Sequence, residues 1–96
     1  MTAKPSLPEA LRRIRKARGL SQEAFSNVSS RTYLSSLERG LKSPTLKKLE
    51  ELCEVLEIHP ISLLALCYFD ESDIENGLHQ VNEQVRSILQ ENHGNT

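Results

Sequence analysis

Between Leu20 and Gly40 the chain reads LSQEAFSNVSSRTYLSSLERG, and this stretch leaves few folds open. It holds two short helical signals separated by a tight polar break. Ser21 is a good N-cap, because its hydroxyl can accept from an unpaired N–H of a first turn. Ala24 and Phe25 then form the inward face of a short helix. Ser29-Ser30 offers a second cap. Arg31 to Glu38 reads as a second helix, with Leu34 and Leu37 three apart on one face. Gly40 ends it, since glycine enters the left-handed region cheaply. The other face of this helix shows Arg31, Thr32, Ser35, Ser36 and Arg39, which are short donors and acceptors between guanidinium groups. A helix pinned by two leucines and presenting such residues outward suits the major groove of double-stranded DNA.

The charge distribution agrees. Net charge is only −1, but eleven bases and three acids precede Leu49, giving that part +8. From Leu49 onward Arg86 is the single base against ten acids, giving −9. One pole suits phosphate and the other avoids it. An apolar fraction of 38% with 4% aromatic residues fits an aliphatic helical bundle better than a β-sandwich. No run is long enough to span a bilayer. Met1 to Pro8 has no apolar signal-peptide core, which predicts a cytoplasmic protein. Cys53 and Cys67 lie in apolar helical segments without a Cys or His at zinc spacing, so they read as small buried side chains. No glycine-rich phosphate loop, metal cluster or nucleophile–base pair is present, so no enzyme activity, cofactor or metal is expected.

The flanking segments are helical by the same criteria. Met1 to Pro5 reads as a mobile arm. Ser6-Leu7-Pro8-Glu9 matches a capping box, with Ser6 as cap and Glu9 reaching back. A helix from Leu7 to Arg18 buries Leu7, Leu11 and Ile14, and Gly19 closes it. Ser43-Pro44 opens another, with proline at its first position, and Leu46, Leu49, Leu52, Cys53, Val55 and Leu56 follow the helical period. Beyond Ile58-His59-Pro60, where His59 reads as a cap or as an exposed side chain rather than a metal or acid–base group, Ile61 to Phe69 forms a fifth helix or its tail. Asp70 to Asp73 is an acidic break with Ser72 as a plausible cap. Ile74, Leu78, Val81, Val85 and Ile88 then recur at spacings of 4, 3, 4 and 3, a heptad seam interrupted by Gly77. A lone helix with one apolar seam is not stable in water, so it must pack on its own domain or on another subunit. Asn92 to Thr96 reads as a disordered tail.

Several of these residues occur together in one known pattern. Arg15, then Gly19-Leu20-Ser21-Gln22-Glu23, then Arg31-Thr32-Tyr33-Leu34-Ser35, Leu37-Glu38-Arg39-Gly40, Ser43-Pro44-Thr45-Leu46 and Leu49 resemble the helix-turn-helix family of Cro and phage repressors, the xenobiotic-response-element family. The resemblance covers Leu7 to Leu66. It departs at the turn. The family has a longer connection between Ser-Gln and Glu-Arg-Gly, usually with a glycine. Here Asn27-Val28-Ser29-Ser30 must do that work, with either a shorter second helix or a tighter turn. The resemblance also pairs Arg15 with Glu38, a match of guanidinium fork to carboxylate that ties the first helix to the third. Many relatives carry glycine where Glu57 stands.

The resulting expectation is an all-α protein. Residues 1–69 form a five-helix phage-repressor-like DNA-binding domain, and residues 70–96 form an additional C-terminal helix and tail. Arg31, Thr32, Ser35 and Ser36 would read bases. Gln22, Arg39, Lys42 and Ser43 would touch phosphate. The resemblance implies a sequence-specific transcriptional regulator of the repressor type, binding a palindromic operator as a homodimer. Ile74, Leu78, Val81, Val85 and Ile88 are the dimerisation candidates. The alternative is a protein-interaction module of antitoxin or anti-repressor type on the same fold.

Overall fold

The computed structural model describes residues 6–94. The expected arm at Met1 to Pro5 and the last two residues of the expected tail lie outside them. Five α-helices follow one another: α1 (Leu7–Ala17), α2 (Arg31–Glu38), α3 (Leu46–Leu56), α4 (Pro60–Tyr68) and α5 (Ile74–Gly94). Two single 3₁₀ turns, Gln22–Phe25 before α2 and Glu71–Asp73 before α5, complete the set, and no strand occurs among the described residues. The segment from Asn92, expected to be disordered, continues α5 to Gly94.

The helices α1 to α4 each begin at a side-chain cap, though not always the expected one. Ser6 Oγ accepts from Glu9 N at 3.3 Å. The reciprocal half of the capping box is absent, because Ser6 N–H instead donates to the Cys67 carbonyl at 3.1 Å and ties the start of α1 to α4. Ser30 caps α2 through Tyr33 N, and His59 Nδ1 caps α4 through Ile61 N. Thr45 caps α3 through Lys48 N, so the helix starts at Leu46 and Pro44 stands outside it. Ser21 makes no side-chain cap, since the Ala24 N–H that a capping hydroxyl would meet donates instead to the Ser21 carbonyl at 3.1 Å. Asp70, not Ser72, occupies the cap position of the second 3₁₀ turn.

The shortened connection is accommodated by loss of helix. The segment after Ser21 is only four residues of 3₁₀ helix, and Ala24 is exposed while Phe25 is fully buried. The chain then turns on the Phe25 carbonyl, which accepts from both Val28 and Ser29 N–H at 2.9 Å. Val28 packs against the core, and its own carbonyl accepts from Lys48 Nζ. Lys48 thereby braces the turn from α3, while Glu51 lies 3.1 Å from the same ammonium.

The core is Leu11 and Ile14 of α1, Phe25, Leu34 and Leu37 of α2, Leu49, Leu52, Cys53 and Leu56 of α3, and Leu63 of α4. Burial pushes the thiols of Cys53 and Cys67 up, which keeps them protonated and inert. Arg18 reaches across to cap the end of α3, donating to the carbonyls of Leu56 at 3.0 Å and Glu57 at 3.3 Å. Gly40 leaves α2 with φ 75°, and Glu57 leaves α3 with φ 56°, a left-handed conformation that costs a side chain about 1–2 kcal/mol.

α5 meets α4 most tightly where Gly77 faces Phe69. A Cβ on Gly77 would lie 2.5 Å from Cδ1 and 2.6 Å from Cγ of Phe69. The glycine that weakens the helix is thus the site where the Phe69 ring seats. From Leu78 through Glu91 every residue of α5 is exposed.

Two substitutions check these backbone readings. In an exposed helix Gly→Ala gains about 1 kcal/mol. Gly77→Ala should instead lose stability and loosen α5, seen as a lower thermal midpoint and faster amide exchange around Phe69. Glu57→Gly should relieve the left-handed strain, partly offset by greater unfolded-state entropy. The net gain of about 1 kcal/mol should raise the midpoint by roughly 4–8 °C in differential scanning calorimetry.

Candidate nucleic-acid interface

α2 is eight residues long, and its two sides divide cleanly. At about 100° per residue, Leu34 and Leu37 point one way, Glu38 lies at the boundary, and Arg31, Thr32, Ser35 and Arg39 point the other way. The first three are buried at 0, 2 and 5% exposure. Arg31, Thr32 and Arg39 are exposed and Ser35 is half-buried. These four, with Gln22 of the preceding 3₁₀ turn, line one shallow concavity of about 390 Å³.

Arg31, Ser35 and Arg39 stand four apart and form a single stripe. Arg31 lies 4.0 Å from Glu23, with both side chains more than two-thirds exposed, a contact too solvated to hold it. Arg39 Nε reaches the Ser35 carbonyl at 3.4 Å. Lys42, in the loop after α2, lies over the Tyr33 ring at 5.6 Å from its centroid. Such a contact steadies an ammonium without neutralising it. Ser43 is exposed in the same loop.

One expected base-reading residue is misplaced. Ser36 is buried, at 8% exposure, and does not line the concavity. It follows Ser35 by one residue, which turns it about 100° off the stripe. The spacing of four from Arg31 through Ser35 to Arg39 was the signal that separates the two serines. Gln22 lines the concavity, but its Nε2 donates inward to Glu38 Oε1 at 3.2 Å. Lys48 reads in the sequence as a peripheral phosphate contact or a solubilising charge, and its bond to Val28, like the contact of Tyr33 with Lys42, was not legible there because neither follows a helical period.

The stripe is oriented from below. Arg15 Nε donates to Glu38 Oε2 at 2.6 Å and its Nη2 to Oε1 at 2.9 Å. Nη1 donates to the Leu20 carbonyl at 2.9 Å. The Arg15 and Glu38 side chains are only 11% and 4% exposed. The Glu38 hydrogen bond raises the Arg15 pKa above its ordinary value, against the opposing pull of burial. A raised basic group contributes fully below its ordinary range, so the guanidinium's share of stability is lost only in strong alkali. Glu38→Ala would leave Arg15 charged in a partly apolar site. It should cost about 3–5 kcal/mol in urea-induced unfolding, against about 0–1 kcal/mol for an exposed pair.

Comparison with known proteins finds relatives of the sequence. A family model described as helix-turn-helix matches residues 11–63. The chain is also 43% identical over 54 residues to the uncharacterized HTH-type transcriptional regulator y4dJ of Sinorhizobium fredii, covering 54% of this chain and 70% of the relative. No solved structure gives a significant match.

Proposed function

The chain belongs to the helix-turn-helix family of the xenobiotic-response-element type, the transcriptional regulators, and from that premise we propose that it is a repressor that binds a palindromic operator in double-stranded DNA as a homodimer. The observation that carries the reading is the α2 stripe. Arg31, Thr32, Ser35 and Arg39 share one concave face, backed by a buried ion pair.

In this reading α2 enters the major groove. Arg31, Thr32 and Ser35 read base edges, arginine on guanine being the commonest specific contact. Arg39, Lys42 and Ser43 hold phosphates on either side, and Gln22 supplies what remains of its amide to the same backbone. Ser36 has no part in it. One short helix meets few base pairs, so specificity comes from two half-sites about 34 Å apart, and two-fold symmetry in the protein demands a near-palindrome in the DNA. Residues 70–96 serve as the dimerisation arm through Ile74, Leu78, Val81, Val85 and Ile88. Full burial of such side chains is worth roughly 1.5–3 kcal/mol each before ordering costs are subtracted.

The exposed apolar residues of α4 and α5 favour a second reading, a module that holds a different protein as antitoxins and anti-repressors do. Salt-dependent duplex binding separates the two.

Selection from random duplex, with the oligomeric state measured alongside, should return a near-palindrome bound by two chains. Arg31→Ala should cost roughly 1–3 kcal/mol on that site and relax preference at one or two base pairs. Arg39→Ala and Lys42→Ala should weaken all sequences evenly and flatten the salt slope by about one per lost phosphate contact. Unchanged sequence preference in Arg31→Ala would remove it from the reading face.

A further inference from the structure

An apolar groove of about 390 Å³ runs between α4 and α5. Ile61, Leu64, Tyr68 and Phe69 form one wall, and Leu78 and Val81 of α5 the other. No charged side chain lines it; its polar members are Gln80 and Gln84. This is an uncharged surface within a part of the chain that carries −9. A like-charged second copy can approach here without bringing carboxylates together.

The other end of α5 has the complementary need. Val85, Ile88 and Leu89 are 50, 62 and 56% exposed. The groove of their own domain stops at Gln84. The apolar end of one helix and the apolar wall of α4 both lack cover, and they lie apart along the same molecule.

We infer, on the basis of the dimeric reading above, that α5 pairs antiparallel with α5 of a second copy, so that each distal segment, Val85, Ile88 and Leu89, fills the α4–α5 groove of the other. The seam supports this symmetry. Leu78 and Ile88 are equidistant from position 83, and so are Val81 and Val85. Each pair therefore meets its own reverse across a two-fold axis, as a closed isologous interface requires. The two valines at the crossing are small enough for close approach of the helix axes. Glu83 and Arg86 project from the other side of the helix, away from the seam, at about 100° per residue. A parallel pairing buries the same α5 seam but leaves Ile61 and Tyr68 of α4, 55 and 63% exposed, uncovered. Only the antiparallel arrangement meets both needs. Leu89, outside the heptad positions, acquires a role through the groove.

The test uses the full chain with Cys67→Ala, so that only an introduced cysteine is labelled; Cys53 is 1% exposed. Spin labels are placed by Glu83→Cys or Gln90→Cys, both on the face opposite the seam, and distances are read by pulsed dipolar spectroscopy. In the antiparallel dimer the two Gln90 sites are offset by about 21 Å along the helix axes and the two Glu83 sites by about zero, so the Gln90 pair should read about 10 Å longer. Sedimentation of Tyr68→Glu, a surface change on the α4 wall, should show dimerisation weakened at least tenfold. Equal distances at the two sites, with Tyr68→Glu still dimeric, would mean a parallel coil and overturn this inference while leaving the dimer standing. Absence of any dipolar coupling, with the chain a monomer, would overturn the inference and the dimeric reading together.

Discussion

A guanidinium and a carboxylate buried side by side hold the helix-turn-helix part of this molecule in register. Arg15 gives two donors to Glu38 and a third to the Leu20 carbonyl, and Gln22 adds a donor to the same carboxylate. Four segments therefore meet at one point: α1, the loop after it, the 3₁₀ turn and the end of α2. The arrangement compensates a local fault. Glu38 is the last residue of α2, where the helix dipole disfavours a negative charge. Placed there and buried, the carboxylate needs the guanidinium, and no buried side-chain polar atom among the described residues is left without a partner. Because Glu38 sits at the boundary between the Leu34 and Leu37 side and the outward stripe, this network sets the rotation of α2 about its own axis, and with it the direction of the Arg31, Ser35 and Arg39 stripe.

The rest of the fold compensates for a connection that is short for the family. One 3₁₀ turn replaces a helix, so less backbone is held by regular hydrogen bonds before α2. The Phe25 side chain, its carbonyl and the ammonium of Lys48 take over that task from the core, the turn and α3. The chain is also divided in charge. The cationic pole includes α1 and α2, and the anionic pole holds most of α3 and α5, where the exposed apolar residues of α5 lie. One protein surface thus favours a polyanion while another favours an uncharged apolar partner.

Local signals in the chain were enough to find the helices. Leu34 with Leu37, Leu49 with Leu52 and Leu56, and the caps at Ser6, Ser30 and His59 all act within one or two turns, so periodicity and hydrogen-bonding chemistry reveal them directly. Contacts between distant segments were not legible in the same way. Ser6 N–H meets the Cys67 carbonyl rather than Glu9, and Arg18 caps a helix 38 residues away. Gly77 reads as a helix weakness until Phe69 is seen against it. Thr45 displaces Ser43-Pro44 as the start of α3, because its hydroxyl reaches an amide three residues on. At the interface, the outward stripe was readable in Arg31, Thr32, Ser35 and Arg39, while Ser36 was not separable from Ser35 by residue type. Its position followed from the helical phase alone. The Arg15–Glu38 contact came from family resemblance, since nothing in the residues themselves specified that partner over any other acid.

The central claim is that the ion-paired scaffold presents α2, and not the acidic pole, to DNA. Amide chemical-shift mapping of the labelled full chain against a short duplex at low salt tests it directly. The account predicts that perturbations concentrate at Gln22, Arg31 to Ser35, Arg39 and Lys42, fade as salt is raised, and leave α5 unmoved. Perturbations centred on α4 and α5, or none anywhere at low salt, would contradict it.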